Sequence, residues 1–444
     1  MSAGAAPSRI ARDGSRSLGL RVAQALINAS VVFVTARGFG ADGRGLYALT
    51  MLAATFMSLP VLGITTPLSA EVAHKRSTLA ELYAASLTIS FLVGGLISSV
   101  GVVVAIVVWP HWAWLGFAAA PLPLLCLAQC QIMLYQAQGA VMRMGLMTMA
   151  ASVATVASLS VVALAFPGNI NAALVAWALV QPIVPLGVLY LQHRQAGFEW
   201  RGVRALTIRL LRRGMPITVA NTILRLNYRV DVFVVAALLT LSDVGKYSVA
   251  VAVGEVLWEV SRSLITGAYQ TIAGAPMDES VRVTMRAFRH SALLLVTGGL
   301  VSAAGSFLLM GIVFGSDFDR VWVPLLLLVP GIVGFGAAEV LRVFFLVRLE
   351  RSREYLYAAS GSMIVNLVLA VALVPVIGIA GAAISTSVSY IFCCLVLTVR
   401  FAACGGSRRV GDYLPGRAEV DDYVRLLGYF VRKARRAAPS AAGD

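Results

Sequence analysis

Charged residues are scarce in this chain of 444 residues. They make up 13% of it, whereas 59% of the residues are hydrophobic. Soluble domains contain about 25% charged and roughly 45–50% apolar residues, so the apolar excess is too large for a core surrounded by water. Apolar segments of about 20 residues, long enough to cross a bilayer, recur along nearly the whole sequence. The composition therefore predicts a polytopic membrane protein and excludes a soluble domain.

Cysteine and histidine are also few, with five and four residues. The cysteines lack the spacing of a zinc site and the histidines occur singly, so we expect no metal centre. The segment Gly38–Gly43 matches the GxGxxG pattern of dinucleotide-binding loops, but it joins two apolar segments, so we interpret it as a turn. The sequence contains no ATPase phosphate loop and no nucleophile–base set. We therefore expect neither an enzyme nor a bound cofactor.

Acidic residues are outnumbered by basic ones, 21 to 36. In a membrane protein the location of the basic residues is informative, because cytoplasmic loops are enriched in Lys and Arg. Apolar runs bounded by Gly, Pro or charge predict twelve spans, near residues 18–36, 45–68, 82–108, 113–138, 145–166, 170–192, 215–239, 244–270, 289–314, 322–347, 355–375 and 379–403.

The basic residues alternate between successive loops of this twelve-span arrangement. Most of them fall at the two termini and in every second loop, and only Arg37, Arg44, Lys246 and Arg320 fall in the opposite loops. The distribution predicts that both termini are cytoplasmic. It also accounts for the positive charge without a nucleic-acid partner, and we expect membrane lipids to be the surroundings.

Five segments follow from this count. We predict a cytoplasmic N-terminal segment (1–17), a six-helix bundle (18–192), a basic amphipathic linker (193–214), a second six-helix bundle (215–403) and a basic tail with an interfacial amphipathic helix (404–444). Membrane-surface anchoring explains the linker and the tail more simply than recruitment of a partner does.

Two short motifs suggest that the halves are repeats. Gly45-Leu46-Tyr47-Ala48 opens the second span, and Gly245-Lys246-Tyr247-Ser248 opens the eighth. The segments 168–174 and 378–384 are similarly matched before spans six and twelve. Parallel repeats of this kind occur in transporters, whose substrates bind between the repeats. The alternative explanation is convergent turn chemistry, in which glycine serves a tight turn or close packing.

Ionisable residues within spans occur only in the second half. Asn221, Arg225 and Arg229 recur every four residues, a spacing that places them on one face of a continuous helix. The polar and charged candidates are Asn221, Arg225, Asn227, Tyr228, Arg229 and Asp231 in span 215–239, Glu255, Glu259 and Arg262 in span 244–270, and Glu339 and Arg342 in span 322–347.

Such residues usually face a partner or a water-filled cavity, because an isolated charge in hydrocarbon is costly. We favour a cavity that binds substrate; a structural network of ion pairs is the alternative, and the two can coexist. Asp231, Glu255, Glu259 and Glu339 form the acidic part of this set. A carboxylate such as Asp231 or Glu255 is a candidate for coupling transport to protons or sodium ions.

Several motifs resemble one family of transporters. They are the segments Ala36–Tyr47, Asn227–Asp231, Asp243–Ala250 and Val374–Ser385, together with Asn366. This pattern, over residues 18–403, resembles the polysaccharide flippases of the multidrug/oligosaccharidyl-lipid/polysaccharide exporter superfamily, which includes the O-antigen translocases.

The resemblance implies an all-α fold of twelve transmembrane helices in two six-helix bundles, arranged as a V around a central cavity. It also implies alternating access that carries undecaprenyl-pyrophosphate-linked oligosaccharide across the bacterial inner membrane for lipopolysaccharide or exopolysaccharide synthesis. Glycan polymerases and glycosyltransferases are the partners that it suggests.

The chemistry of the in-span residues is compatible with such a substrate. Arg225, Arg229, Arg262 and Arg342 would bind the pyrophosphate, and Asn221, Asn227 and Tyr228 would bind sugar. The equal number of in-span acids keeps a multidrug or cation antiporter of the same superfamily as the alternative. A membrane-embedded glycan polymerase or ligase ranks last, because the outer loops are short.

Overall fold

The computed structural model describes residues 6–107 and 113–425. All regular structure in this part of the chain is helical, which confirms the predicted all-α class. The helices are α1 (Ala6–Met57), α2 (Leu59–Ala73), α3 (Leu79–Ile89), α4 (Gly95–Val107), α5 (Ala113–Ala119), α6 (Leu122–Ala137), α7 (Val141–Ala165), α8 (Ile170–Val180), α9 (Ile183–Ala196), α10 (Val203–Asn227), α11 (Val230–Leu238), α12 (Leu241–Val256), α13 (Trp258–Gly274), α14 (Met277–Phe314), α15 (Trp322–Val343), α16 (Ser352–Ile377) and α17 (Ile379–Ala403).

The helical conformation is interrupted between the first two predicted spans and again within the second. Gly40, at φ 69° and ψ −173°, breaks the helical conformation within α1, as expected of the Gly38–Gly43 turn. A second break at Ser58 bends α2 by 47° from the preceding helix, and Pro60 lies in the first turn of α2. Proline is tolerated there because its missing N–H is one that the start of a helix leaves unpaired.

Within the described residues, eight helical segments are long and apolar enough to cross a membrane, or nine if the bent α1–α2 pair is one span. The total of twelve stays a prediction. The structure contradicts the continuity of two predicted spans: 45–68 is bent at Ser58, and 215–239 is divided between α10 and α11. Within 244–270, the single residue Leu257 separates α12 from α13 and keeps a helical conformation. The hydropathy pattern covers both pieces of each pair and therefore does not reveal the break.

The chain forms two compact units. Unit 1 comprises Met1–Ala252, Ser306–Trp322 and Leu369–Ala382, and unit 2 comprises Val253–Gly305, Val323–Val368 and Ala383–Asp444. The boundaries predicted between bundles, linker and tail stay predictions.

In unit 1, a buried cluster joins α2, α3, α6 and α10. Leu206 and Leu210 of the predicted linker pack in this cluster with Ile64, Leu68 and Leu82. The linker helix also continues without interruption from Val203 into the predicted seventh span. Close packing requires small residues, since a Cβ at Gly63 would lie 1.9 Å from Thr218 Oγ1. The basic linker is thus fixed to the protein along its apolar side.

In unit 2, aromatic side chains pack between α13, α15 and α17. The Trp258 ring lies 5.4 Å from that of Phe335 and 5.8 Å from that of Tyr390, and the last two are 4.6 Å apart. The Trp258 indole N–H donates to the carbonyl of Ile332 at 3.3 Å. Buried tryptophans usually find such a partner. This cluster holds α13 against α15.

The start of the tail packs on the N-terminal part of α14. Arg289 forms an ion pair with Glu419 at 2.7 Å, and Arg286 forms one with Asp422 at 2.7 Å. The ring of Tyr423 meets that of His290 edge-on at 5.4 Å. Glu419 and Asp422 therefore attach the tail to α14. The remainder of the predicted interfacial helix, from 426 on, lies outside the described residues.

Candidate functional site

A break between α10 and α11 positions several of the predicted site residues. Asn227 is the last residue of α10 and is buried, Tyr228 follows it, and Arg229 precedes the first residue of α11 with φ −137° and ψ 1°. Because the helix is interrupted, Arg229 does not continue the stripe of Asn221 and Arg225. The predicted single stripe is wrong, and Arg229 belongs to the break instead.

Asp231 occupies the first turn of α11 and is 2% exposed. Its Oδ1 accepts a hydrogen bond from the N–H of Val232 at 2.8 Å, and its Oδ2 accepts one from the hydroxyl of Tyr247 at 2.5 Å. A helix start leaves N–H groups unpaired and favours negative charge, so the carboxylate stabilises the start of α11. The candidate coupling residue thus also has a structural role.

Arg225 lies in the last turn of α10 and is exposed. It forms no ion pair with any carboxylate of residues 6–107 or 113–425. Asn221 lies one turn before it and is half-buried. Arg225 can therefore offer a full guanidinium fork to an anion.

Arg44 is a functional candidate that the sequence analysis missed, because we placed it in an outer loop. The structure places it within the helical part of α1 that follows Gly40, where it is 7% exposed. Its Nε donates to Ser248 Oγ at 3.0 Å and its Nη1 donates to Thr35 Oγ1 at 3.1 Å, while Cζ lies 5.8 Å from the centre of the Tyr47 ring. Among the described residues it has no carboxylate partner.

The two motifs suggested to be repeats contact each other within unit 1. A Cβ at Gly45 would lie 2.0 Å from the carbonyl oxygen of Leu241, and a Cβ at Gly245 would lie 1.9 Å from that of Ala41. Neither contact leaves space for a side chain. Arg44 reinforces the contact, since Ser248 accepts from Arg44 and donates to the carbonyl of Gly245 at 2.8 Å.

A side-chain cap fixes the start of α12 at this contact. The Thr240 hydroxyl donates to Asp243 Oδ2 at 2.7 Å, and it accepts from the N–H of Asp243 at 3.3 Å. Such reciprocal capping specifies where a helix begins. The sequence Thr240–Asp243 thereby places Gly245 in the first turns of α12, opposite Gly45.

Unit 2 holds the remaining predicted site residues. Arg262 pairs with Glu259, three residues before it on α13. Arg342 binds Glu339 through Nη2 at 2.7 Å and through Nε at 2.9 Å, again at a spacing of three residues. Each of these two ion pairs lies within one helix. Glu255 lies near the end of α12 and is half-buried.

Each unit thus contains one group of predicted site residues. Asn221, Arg225, Asn227, Tyr228, Arg229 and Asp231 belong to unit 1, and Glu255, Glu259, Arg262, Glu339 and Arg342 belong to unit 2. In the described part of the chain, no three His, Cys, Asp or Glu side chains lie close enough together to hold a metal ion.

Three solved structures of transporters share this fold. A lipid II flippase, MurJ in an inward closed conformation, matches with a TM-score of 0.76 at 11% identity, over 94% of this chain and 92% of that chain. An inward-facing multidrug resistance transporter of the MATE family matches at 0.68 and 13%, over 87% and 96%. A MOP superfamily transporter from Pyrococcus furiosus matches at 0.56 and 14%, over 90% and 96%. At these identities the likeness shows the fold.

The sequence itself also matches a family. No curated protein matches the chain significantly. The family model described as polysaccharide biosynthesis protein matches residues 10–269, more than half of the 444 residues. The matched range includes the Gly45–Gly245 contact and the α10–α11 break. The chain is therefore a multi-pass membrane protein of the polysaccharide biosynthesis protein family, with the fold of the MOP superfamily transporters.

Proposed function

We propose that this protein moves undecaprenyl-pyrophosphate-linked oligosaccharide from the cytoplasmic to the outer leaflet of the bacterial inner membrane, for the synthesis of a surface polysaccharide. The match of residues 10–269 to the polysaccharide biosynthesis family carries the proposal. The similarity of the fold to a lipid II flippase supports it. In this proposal both termini are cytoplasmic, as the alternation of basic loops predicts.

Arg225 and Arg229 are the proposed ligands of the pyrophosphate. A pyrophosphate carries at least two negative charges, and guanidinium groups bind phosphate through two parallel hydrogen bonds. Arg225 has no carboxylate partner in the described chain, so binding an anion there breaks no ion pair. Arg262 and Arg342 each have an acid three residues away, and we expect them to contribute less. Asn221, Asn227 and Tyr228 would bind sugar.

The Gly45–Gly245 contact is the proposed closure on the outer side of the membrane. It joins a segment of the predicted first bundle to one of the predicted second bundle, at the ends of spans that the basic-loop pattern places outside. Alternating access requires such a contact to separate when the substrate leaves outward. Because the contact is between backbones, it can be broken without the removal of an ion pair.

Complementation of a deletion strain tests the proposal. Loss of the gene is expected to trap lipid-linked oligosaccharide in the cytoplasmic leaflet, and Arg225→Ala is expected to lower surface polysaccharide about tenfold or more, as for a lost charged hydrogen bond. Arg204→Ala, an exposed arginine on the same helix, is the control for expression and folding. Full surface polysaccharide in the Arg225→Ala strain would refute the assignment of the headgroup site.

The second candidate is a multidrug or cation antiporter coupled to protons or sodium ions, and the similarity to a MATE family transporter favours it. It would use the carboxylates of Asp231 and Glu255. This function predicts that Asp231→Asn abolishes efflux of a cationic dye from cells and leaves surface polysaccharide unchanged. If the protein is a flippase, cells that lack the gene are expected to export the dye normally.

A further inference from the structure

The outer face of α10 carries a cluster of arginines. Arg204, Arg209, Arg212 and Arg213 are exposed, whereas Val203 on the opposite side is buried in the core with α2 and α3. Ala205, Ile208, Arg209, Arg212 and Arg213 line a shallow groove of about 470 Å³. The groove lies outside the proposed substrate site and does not depend on the proposed function.

The groove has a net positive charge. Arg209 Nε and Arg213 Nη1 both lie 3.5 Å from the same oxygen of Glu71, which is itself buried under them. One carboxylate cannot neutralise two guanidinium groups, and Arg212 forms no ion pair with the carboxylates that the structure describes. Glu71 therefore fixes the positions of Arg209 and Arg213, and the three arginines of the groove keep a net positive charge that can bind an anion.

The residues around the groove place it at a membrane surface. Trp200, on the N-terminal side of α10, is 61% exposed, and tryptophan is enriched at the level of the lipid headgroups. On the C-terminal side, Met215 is 66% exposed and Val219 is 59% exposed. These apolar side chains are suited to hydrocarbon, so the arginines between them and Trp200 lie at headgroup depth.

We propose that this groove binds the phosphate of an anionic phospholipid in the surrounding leaflet. Arg212 supplies a guanidinium that forms no ion pair with a described carboxylate, Arg209 and Arg213 flank the phosphate, and Ile208 packs against the start of the acyl chains. A single phosphodiester charge complements the excess positive charge of the groove. A zwitterionic lipid would bring a cation beside the arginines and bind less well.

Native mass spectrometry of the full-length protein in detergent, titrated with phosphatidylglycerol or phosphatidylcholine, tests the proposal. The substitution is Arg212→Gln, and Arg204→Gln is the matched control, since Arg204 is an exposed arginine of the same helix outside the groove. Phosphatidylglycerol is expected to bind about fivefold more weakly to Arg212→Gln than to the unaltered protein, as for one surface arginine. Arg204→Gln is expected to bind within twofold of it, and phosphatidylcholine is expected to bind weakly to all three.

Three results would overturn the proposal. The first is equal weakening by the two substitutions, and the second is equal binding of the two lipids to the unaltered protein. The third is displacement of phosphatidylglycerol by millimolar inorganic phosphate or by equimolar undecaprenyl phosphate, which would assign the groove to free phosphate or to the transported lipid. Thermal unfolding of each variant shows whether the fold is retained. Arg212→Gln leaves both ion pairs of Glu71 in place, because those pairs are made by Arg209 and Arg213.

Discussion

Arginines within the helices that follow Gly40 and in the predicted spans have different partners in the two units, as Arg44 and Arg225 of unit 1 and Arg262 and Arg342 of unit 2 show. In unit 2, Arg262 and Arg342 each pair with a glutamate on the same helix. In unit 1, the buried Arg44 is hydrogen-bonded to two hydroxyl groups, and Arg225 forms no ion pair with a described carboxylate. A guanidinium that is already paired has to lose a carboxylate before it can bind a phosphate. If the substrate is the pyrophosphate-linked lipid proposed above, unit 1 is therefore the better source of positive charge for it.

The two kinds of arginine also illustrate two ways in which a charge is stabilised inside a membrane protein. A pair at a spacing of three residues neutralises itself locally, whatever the neighbouring helices do. Arg44 depends instead on Thr35 and Ser248, which lie on separate helical segments. The charge on Arg44 is therefore tolerated only while those segments stay together. We accordingly expect unit 1 to be sensitive to changes at the Gly45–Gly245 contact.

The largest effect is expected for Gly45→Ala. The new Cβ would lie 2.0 Å from a backbone carbonyl, so the helices must separate, at a cost of about 1–3 kcal/mol for overpacking. Surface polysaccharide should fall strongly. Gly187→Ala is the matched control, because a Cβ at that helical glycine meets nothing within 4 Å. Equal activity of the two variants would show that the contact has no role in transport.

Tyr247→Phe tests the buried carboxylate of unit 1. It removes the hydroxyl that donates to Asp231, and we expect a loss of about 1–3 kcal/mol in unfolding free energy, as for a hydrogen bond to a buried charge. Tyr269→Phe, at an exposed tyrosine, is the control. The measurement is thermal or denaturant unfolding in detergent. If both variants unfold alike, the hydrogen bond to Asp231 contributes nothing measurable to stability.

A double-mutant cycle at Glu339 and Arg342 tests the self-neutralised pair of unit 2. The pair is largely shielded from solvent, so we expect a coupling energy of about 1 kcal/mol, with the double variant Glu339→Gln/Arg342→Gln more stable than the two single losses predict. Polysaccharide export should stay near normal in the double variant. A loss of export equal to that of Arg225→Ala would remove the distinction between the units.

The smallest effect concerns the tail of unit 2. Although burial alone would raise the pKa of the Glu419 carboxyl, hydrogen bonds from backbone N–H groups, including that of Gly416, and the charge of Arg289 lower it overall. The hydrogen bond from Arg286 lowers the pKa of Asp422. Folded-state pKa values below the ordinary ones mean that these contacts contribute fully at neutral pH and weaken as the pH falls below about 4.5.

Hydrogen exchange of residues 412–425 measures this effect. We expect protection at pH 7 that decreases as the pH falls through the carboxylate range, after correction for intrinsic exchange rates. Glu419→Gln should remove most of the pH dependence. A protection factor that does not change with pH in the unaltered protein would show that the ion pairs do not hold the tail.

The sequence was sufficient to predict the helical class and the membrane location, and it named candidate site residues without showing how they are grouped. Asp231, Arg225 and Arg229 were found because charges are rare in apolar spans. Arg44 was missed because it lies four residues after the Gly40 break, where an outer loop was expected. A GRGLY sequence at the start of a span was the available signal, since glycines on both sides of an arginine allow close approach of another helix.

What the sequence by itself determined is therefore the solvent, the fold class and the membership of a family, because hydrophobicity and motif spacing are local properties of the chain. Tertiary structure alone decided three further features. These are the break in the helix at Asn227–Arg229 and the contact between Gly45 and Gly245, which lie 200 residues apart in the sequence. The third is the burial of Leu206 and Leu210 in the protein core. Each of these depends on which distant segment packs against which, and hydropathy along the chain carries no information about that choice.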